Sequence, residues 1–180
     1  MAGRVYLAGP DVFLSDAPDI LAMKVRICAE LGLEGVSPIA GEAPPDASGI
    51  FAKCEAAMGA SDMILANMTP FRGPGMDAGT AYEVGYMRAQ GKPIFGYSNA
   101  PGDYASRVPD ARSRNGHLTD ADGLTVEDFG RAENLMLACA AEAFGFPVFR
   151  PSQAPADPVR DLEAFRMAVQ AAASHCGRTT

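Results

Sequence analysis

The sequence predicts an α/β fold: a flavodoxin-like (Rossmann-like) parallel sheet of about five strands, with helices on both faces. Short apolar runs such as Val5-Tyr6-Leu7-Ala8, Met63-Ile64-Leu65-Ala66 and Pro93-Ile94-Phe95-Gly96-Tyr97 have the length and composition of strands. The segments between them carry apolar residues at helical spacing. Strands alternating with helices in this way imply a parallel sheet covered on both faces, and right-handed crossovers restrict its topology.

Each element has its own signal. The first strand ends at the turn residues Gly9-Pro10-Asp11. Ile20, Leu21, Val25, Ile27, Cys28 and Leu31 mark a helix over 17–31, which Gly32 stops because glycine tolerates a positive φ. Gly35-Val36-Ser37-Pro38 reads as a second strand. The Pro-, Gly- and Ala-rich stretch 39–48 reads as a loop, with Ser48 capping a helix over about 49–60. A third strand over 62–67, a helix over 80–90 and a fourth strand over 92–97 follow.

Residues 98–123 are rich in Gly, Asp, Ser, Arg and Pro, and read as a long polar loop of the kind that forms lids or disordered segments. Helical spacing returns over 132–144 through Leu135, Leu137, Ala138, Ala141 and Phe144. Pro147-Val148-Phe149 reads as a short last strand. A final helix is expected over about 158–173, with Asp157 as N-cap and Pro158 in its first position. No internal repeat is present.

Composition narrows the function. The 180 residues are expected to form one domain, 1–180, large enough for a hydrophobic core. Fifteen Lys and Arg against 22 Asp and Glu give a net charge of -7, and no basic run offsets it. Nucleic acid and anionic membrane surfaces are therefore not expected as partners. No apolar stretch approaches the roughly 20 residues of a membrane helix, and no signal-peptide pattern precedes the first strand. Cys28, Cys54, Cys139 and Cys176 are scattered, and read as reduced thiols of a cytoplasmic protein. His117 and His175 read as solvated, and neither a metal nor a cofactor is expected. The stretch after the first strand lacks GxGxxG, and Walker A is absent as well.

The chemistry concentrates in Asp77-Ala78-Gly79-Thr80-Ala81-Tyr82-Glu83-Val84-Gly85-Tyr86, which follows the glycine-rich Phe71-Arg72-Gly73-Pro74-Gly75. It lies where a strand hands over to a helix, the edge at which open α/β sheets bind ligands. Paired carboxylates there can supply a nucleophile and an acid for chemistry at a sugar carbon. The small residues Gly79, Ala81 and Gly85 leave room around Glu83. Each candidate also has a plainer reading: Glu83 as a solvated helix residue, Asp77 as an N-cap, and Tyr6 as a core tyrosine. The Tyr6 hydroxyl could otherwise reach a carboxylate. Phe71 could stack on a base and Arg72 could hold an anion, or both could belong to a rigid turn.

Four segments in order resemble the nucleoside 2-deoxyribosyltransferase family. Val5 to Phe13 is similar to its first strand and turn, and Asp62 to Pro74 to its third strand and substrate loop. Asp77 to Tyr86 is similar to its catalytic helix, and Glu133-Asn134-Leu135-Met136-Leu137 to a later segment carrying an asparagine. The resemblance implies a retaining transfer of 2-deoxyribose between nucleobases, and a place in purine salvage. Glu83 would be the nucleophile that forms a covalent deoxyribosyl intermediate, Asp77 would contact the base and assist its protonation, and Tyr6 would orient Glu83. Gly9, Asp11, Phe71, Arg72, Gly79, Asn134 and Met136 would bind substrate, with Asn134 reaching a neighbouring subunit's site in a homo-oligomer. The partners so implied are 2'-deoxynucleosides and free nucleobases.

The chain departs from the family pattern at Cys54, where relatives often carry an Asp or Asn that binds the sugar. That contact is expected to be lost or taken over by Glu55. The last residues, Gly177-Arg178-Thr179-Thr180, match no terminal carboxylate role. Two rival readings remain at this point: an N-glycosidase acting on deoxynucleosides or their 5'-monophosphates with water as acceptor, and a nucleotide-binding module without turnover. The acid pair argues against the second.

Overall fold

The computed structural model describes residues 3–42, 44 and 46–179, with the side chains of 178 and 179 excluded. Its main sheet contains β1 (Arg4–Ala8), β2 (Glu34–Val36), β3 (Met63–Asn67) and β4 (Ile94–Tyr97). All neighbours are parallel, in the order β2-β1-β3-β4. Chain order thus reverses beside β1, the arrangement of flavodoxin-like sheets. Among the described residues, five helices of eight residues or more accompany the sheet: α1 (Ala17–Glu30), α2 (Ala47–Gly59), α3 (Ala78–Ala89), α5 (Leu135–Glu142) and α6 (Glu163–Thr179); α4 (Tyr104–Arg107) is a single turn.

Strand parity decides what each face receives, because successive side chains point to opposite sides. Val5, Leu7, Met63, Leu65, Phe95 and Tyr97 pack with Ile27 of α1 and with Phe165 and Val169 of α6. Tyr6, Ala8, Ile64, Ala66 and Ile94 pack on the other side with Met58 of α2, Val84 and Met87 of α3, and Ala138 of α5. Parity alone therefore sends Tyr6 toward α3.

Several expectations are corrected here. The fifth strand shrinks to one parallel bridge, in which Ser98 N donates to Phe149 O at 2.8 Å and Phe149 N to Gly96 O at 2.9 Å. Pro147 and Pro151 flank it, and neither has an N–H with which to extend a ladder. The stretch 98–123 is not structureless, for it holds α4 and a hairpin of β5 (Arg112–Arg114) and β6 (His117–Thr119). Asn115 and Gly116 at its tip have φ of 50° and 80°, the left-handed pair of a two-residue hairpin turn.

The N-cap of α2 is Asp46, whose Oδ1 accepts from Gly49 N at 2.7 Å, and not Ser48. Asp157 caps only a turn, accepting from Val159 N at 3.1 Å, while α6 starts at Glu163, whose N donates to Asp161 Oδ1 at 2.8 Å. His175 is not solvated: its ring packs edge-on against Phe95 and Phe146.

Candidate active site

Two handovers at the carboxyl edge of the sheet build the site. After β1, Gly9 leads into a 3-10 turn, Pro10–Phe13. A Cβ on Gly9 would lie 2.5 Å from Asp11 Oδ2 and 2.7 Å from Asn67 Cβ, so the turn can pack this closely only around glycine. After β3, the glycine-rich loop delivers Asp77 as the N-cap of α3. Its Oδ2 accepts from Thr80 N at 2.9 Å and from Thr80 Oγ1 at 3.0 Å. The N-cap reading of Asp77 is therefore met, and it coexists with a position on the cleft wall.

Glu83 shares the inward stripe of α3 with the buried Thr80, Val84 and Met87, at the spacing of a core-facing helix side. It is not a solvated helix residue. Tyr6 Oη donates to Glu83 Oε1 at 2.6 Å. Burial pushes the Glu83 carboxyl up to about 7, with the nearby Asp77 adding to the rise and the Tyr6 hydrogen bond opposing it. Burial, then the Glu83 carboxylate, raise the Tyr6 phenol far above its ordinary value, so the phenol remains the donor. Cys54 lies close enough to the Tyr6 hydroxyl to add to that rise.

Glu83, Asp77 and Cys54 line a cleft of about 280 Å³, with Tyr6 behind it. Its polar members are Glu83, Asp77, Thr80 and Cys54, its apolar walls Val12, Phe13, Pro38, Ile39 and Ile50, and Gly9 and Gly79 complete it. None of the described lining residues is a lysine or arginine. An apolar pocket with a few convergent polar groups and a carboxyl of shifted pKa is the usual form of a small-molecule site. Among the described residues no group of three or more His, Cys, Asp or Glu could hold a metal ion.

The residues singled out from sequence divide into three sets. Gly9, Asp77, Gly79 and Glu83 line the cleft, with Tyr6 bonded to Glu83 behind it. Asp11 and Phe71 border a smaller cavity of about 50 Å³, which also involves Pro10. Phe71 stacks on Phe13 at 5.2 Å, and the Arg72 guanidinium lies over both rings, at 4.6 and 5.4 Å. Asn134 and Met136 lie at the start of α5 and do not line the cleft of their own chain. Asn134 Oδ1 accepts from Met136 N at 3.0 Å, and its Nδ2 donates to Glu127. Glu55 accepts from Tyr82 Oη at 2.5 Å and does not stand in for Cys54 in the cleft.

Sequence reasoning missed Phe13 and Lys24. Phe13 ends the segment Val5 to Phe13, and its exposure is not visible in residue spacing. Lys24 was legible as a lone charge four residues from both Ile20 and Cys28 on an apolar helix stripe. Arg107 was also missed. It fastens the polar segment to the loop after β3 by donating to the carbonyls of Pro74, Gly102 and Ala132 and to Glu133.

The chain thus places a half-buried glutamate and its tyrosine donor at the carboxyl edge of a flavodoxin-like parallel sheet. The sequence model described as nucleoside 2-deoxyribosyltransferase matches residues 5–136, and the chain belongs to that family. It is 32% identical over 155 residues to an uncharacterised protein of Schizosaccharomyces pombe, covering 73% of this chain and 74% of that one. It superposes on a 2-desoxiribosyltransferase from Leishmania mexicana with a TM-score of 0.64 and 30% identity, over 75% of this chain and 85% of the other. A conserved protein from Enterococcus faecalis V583 shares the fold at 19% identity, with a TM-score of 0.58 over 96% of this chain and 99% of the other. Family and fold together support a glycosyltransferase-type enzyme. No helix among the described residues is long and apolar enough to cross a membrane.

Proposed function

We propose that this chain transfers 2-deoxyribose between nucleobases in the cytoplasm through a covalent intermediate on Glu83. The observation that carries the reading is the 2.6 Å hydrogen bond from Tyr6 Oη to a Glu83 carboxyl held at a pKa of about 7. A carboxylate in this state is ionised in useful amounts near neutral pH, yet is less stabilised than a solvated one, which suits a nucleophile. One Glu83 oxygen attacks the anomeric carbon, the glycosidic C–N bond breaks, and the base leaves with a proton supplied through Asp77. A second base then attacks the same carbon through its ring nitrogen and returns its N–H proton through Asp77, the ester C–O bond breaks, and the Glu83 carboxylate is restored. Two inversions retain the configuration.

The absence of lysine and arginine from the described cleft lining favours an uncharged nucleoside over a 5'-monophosphate, whose phosphate would sit beside two carboxylates. Incubation with deoxyinosine and adenine tests the reading. Deoxyadenosine is the expected product. Free deoxyribose instead would make the chain an N-glycosidase, and unchanged substrates would leave only a binding role.

A further inference from the structure

Behind the sheet, on the α1 side, lies a charged group for which the proposed chemistry has no task. Lys24 of α1 is 3% exposed, and its partner Asp11 is 4% exposed. Lys24 Nζ donates to Asp11 Oδ1 at 2.6 Å and to Tyr97 Oη at 2.7 Å, with the rings of Tyr97 and Phe165 beside it. The other Asp11 oxygen accepts from Asn67 Nδ2 at 3.2 Å. From there the bonds continue: Thr69 N donates to Asn67 Oδ1 at 3.1 Å, and Asn99 N to Thr69 Oγ1 at 3.0 Å. One buried polar chain thus ties α1 to the loops that follow β1, β3 and β4.

Stability is a weak account of this pair. Desolvating an ammonium and a carboxylate is expensive, and an apolar pair of the same volume is often as stable or more so. Placement is the better account. Asp11 is the second residue of the 3-10 turn, and both of its carboxylate oxygens are engaged. The next two residues, Val12 and Phe13, line the Glu83 cleft, and Gly9 before it is packed against Asp11 Oδ2. Where Asp11 sits therefore fixes one wall of the cleft.

We infer that Lys24 is a positioning residue for substrate binding: by clamping Asp11 from beneath, it holds Val12 and Phe13 in the cleft wall. Asp11 then serves the substrate through the turn and not by contact. The inference rests on the reading of that cleft as a nucleoside site.

The double variant Lys24→Met/Asp11→Asn separates positioning from stability. Each single change leaves a buried group without its partner and lowers the melting temperature, whereas the double change leaves no unpaired charge and regains most of the loss. Two further readouts are taken on it: amide exchange at the turn, where Leu14 N donates to Asp11 O at 3.1 Å, and kinetics with a deoxynucleoside donor. Exchange at Leu14 is expected to quicken about tenfold with the sheet amides unchanged, and KM to rise about tenfold with kcat held within about twofold.

Wild-type exchange and KM in the double variant overturn the proposal. So does faster exchange with KM unchanged, because the turn would then not serve binding. If the double variant does not fold, Asp11→Asn alone, which keeps the shape, gives the same two readouts. If the wild-type chain turns over no deoxynucleoside, the functional reading fails separately, and Leu14 exchange still decides whether Lys24 holds the turn.

Discussion

At Glu83, burial and the neighbouring Asp77 disfavour the anion while the Tyr6 hydroxyl favours it, and the balance leaves the carboxyl at about 7. An attacking carboxylate must be ionised, so kcat/KM is expected to rise with pH through about 7 and to level off above it. Tyr6→Phe removes the donor; the rising limb should move to higher pH and kcat should fall about tenfold to a hundredfold, both read from one pH–rate profile. The same shift acts on stability. An ordinary glutamate ionises near 4.5, so the stability of the neutral form is fully present below that value and is lost as pH rises through about 7. Glu83→Gln should therefore melt higher than wild type at about pH 8, by at most about 3 kcal/mol, and the two should converge at about pH 4. Thermal melts at the two pH values check this. An inactive variant that is more stable than its parent has the signature of a site built for chemistry.

At the level of elements, the turn after β1 and the cap of α2 carry separate expectations. Gly9→Ala brings its Cβ against Asp11 and Asn67, and the turn must move; about 1–3 kcal/mol of stability should be lost together with most activity, measured by denaturation and assay. Asp46→Ala should cost about 1 kcal/mol through the lost cap of α2, whereas Ser48→Ala should cost almost nothing. Equal effects from the two would contradict the observed cap. Strands β1, β3 and β4 and helices α1 and α3 were legible because their apolar spacing is long and regular. The hairpin was also encoded, in the Asn115-Gly116 pair, but polar composition around it masked the signal. The start of α6 was misread because an Asp-Pro pair opens a turn as readily as a helix, and the packing of Phe165 and Val169 sets the helix position instead. Glu83 and Tyr6 were legible through their motifs. Their hydrogen bond needed the parity of β1 and the stripe of α3 to be read together, and the buried Lys24–Asp11 pair needed contacts between distant segments.

Across the whole molecule, α2 and α3 leave Ile50, Phe51 and Tyr82 exposed, and Met136 is exposed at the start of α5. Asn134, two residues before that methionine, does not line its own cleft. These placements fit an expectation of assembly in which Asn134 completes a neighbour's site. Mixing Glu83→Gln chains with Asn134→Ala chains should then restore part of the activity, since a hybrid interface can rebuild one intact site. Hybrid oligomers, verified by mass, that stay inactive would confine Asn134 to its own subunit. The central claim is that Glu83 forms a bond to the sugar, and trapping tests it most directly. The chain is quenched during turnover of a deoxynucleoside without acceptor base, digested and mapped by mass spectrometry. One deoxyribosyl group is expected on the peptide bearing Glu83, absent from the Glu83→Gln variant; a sugar adduct on another residue, or steady turnover of the Gln variant with no adduct in either chain, would rule out Glu83 as the nucleophile.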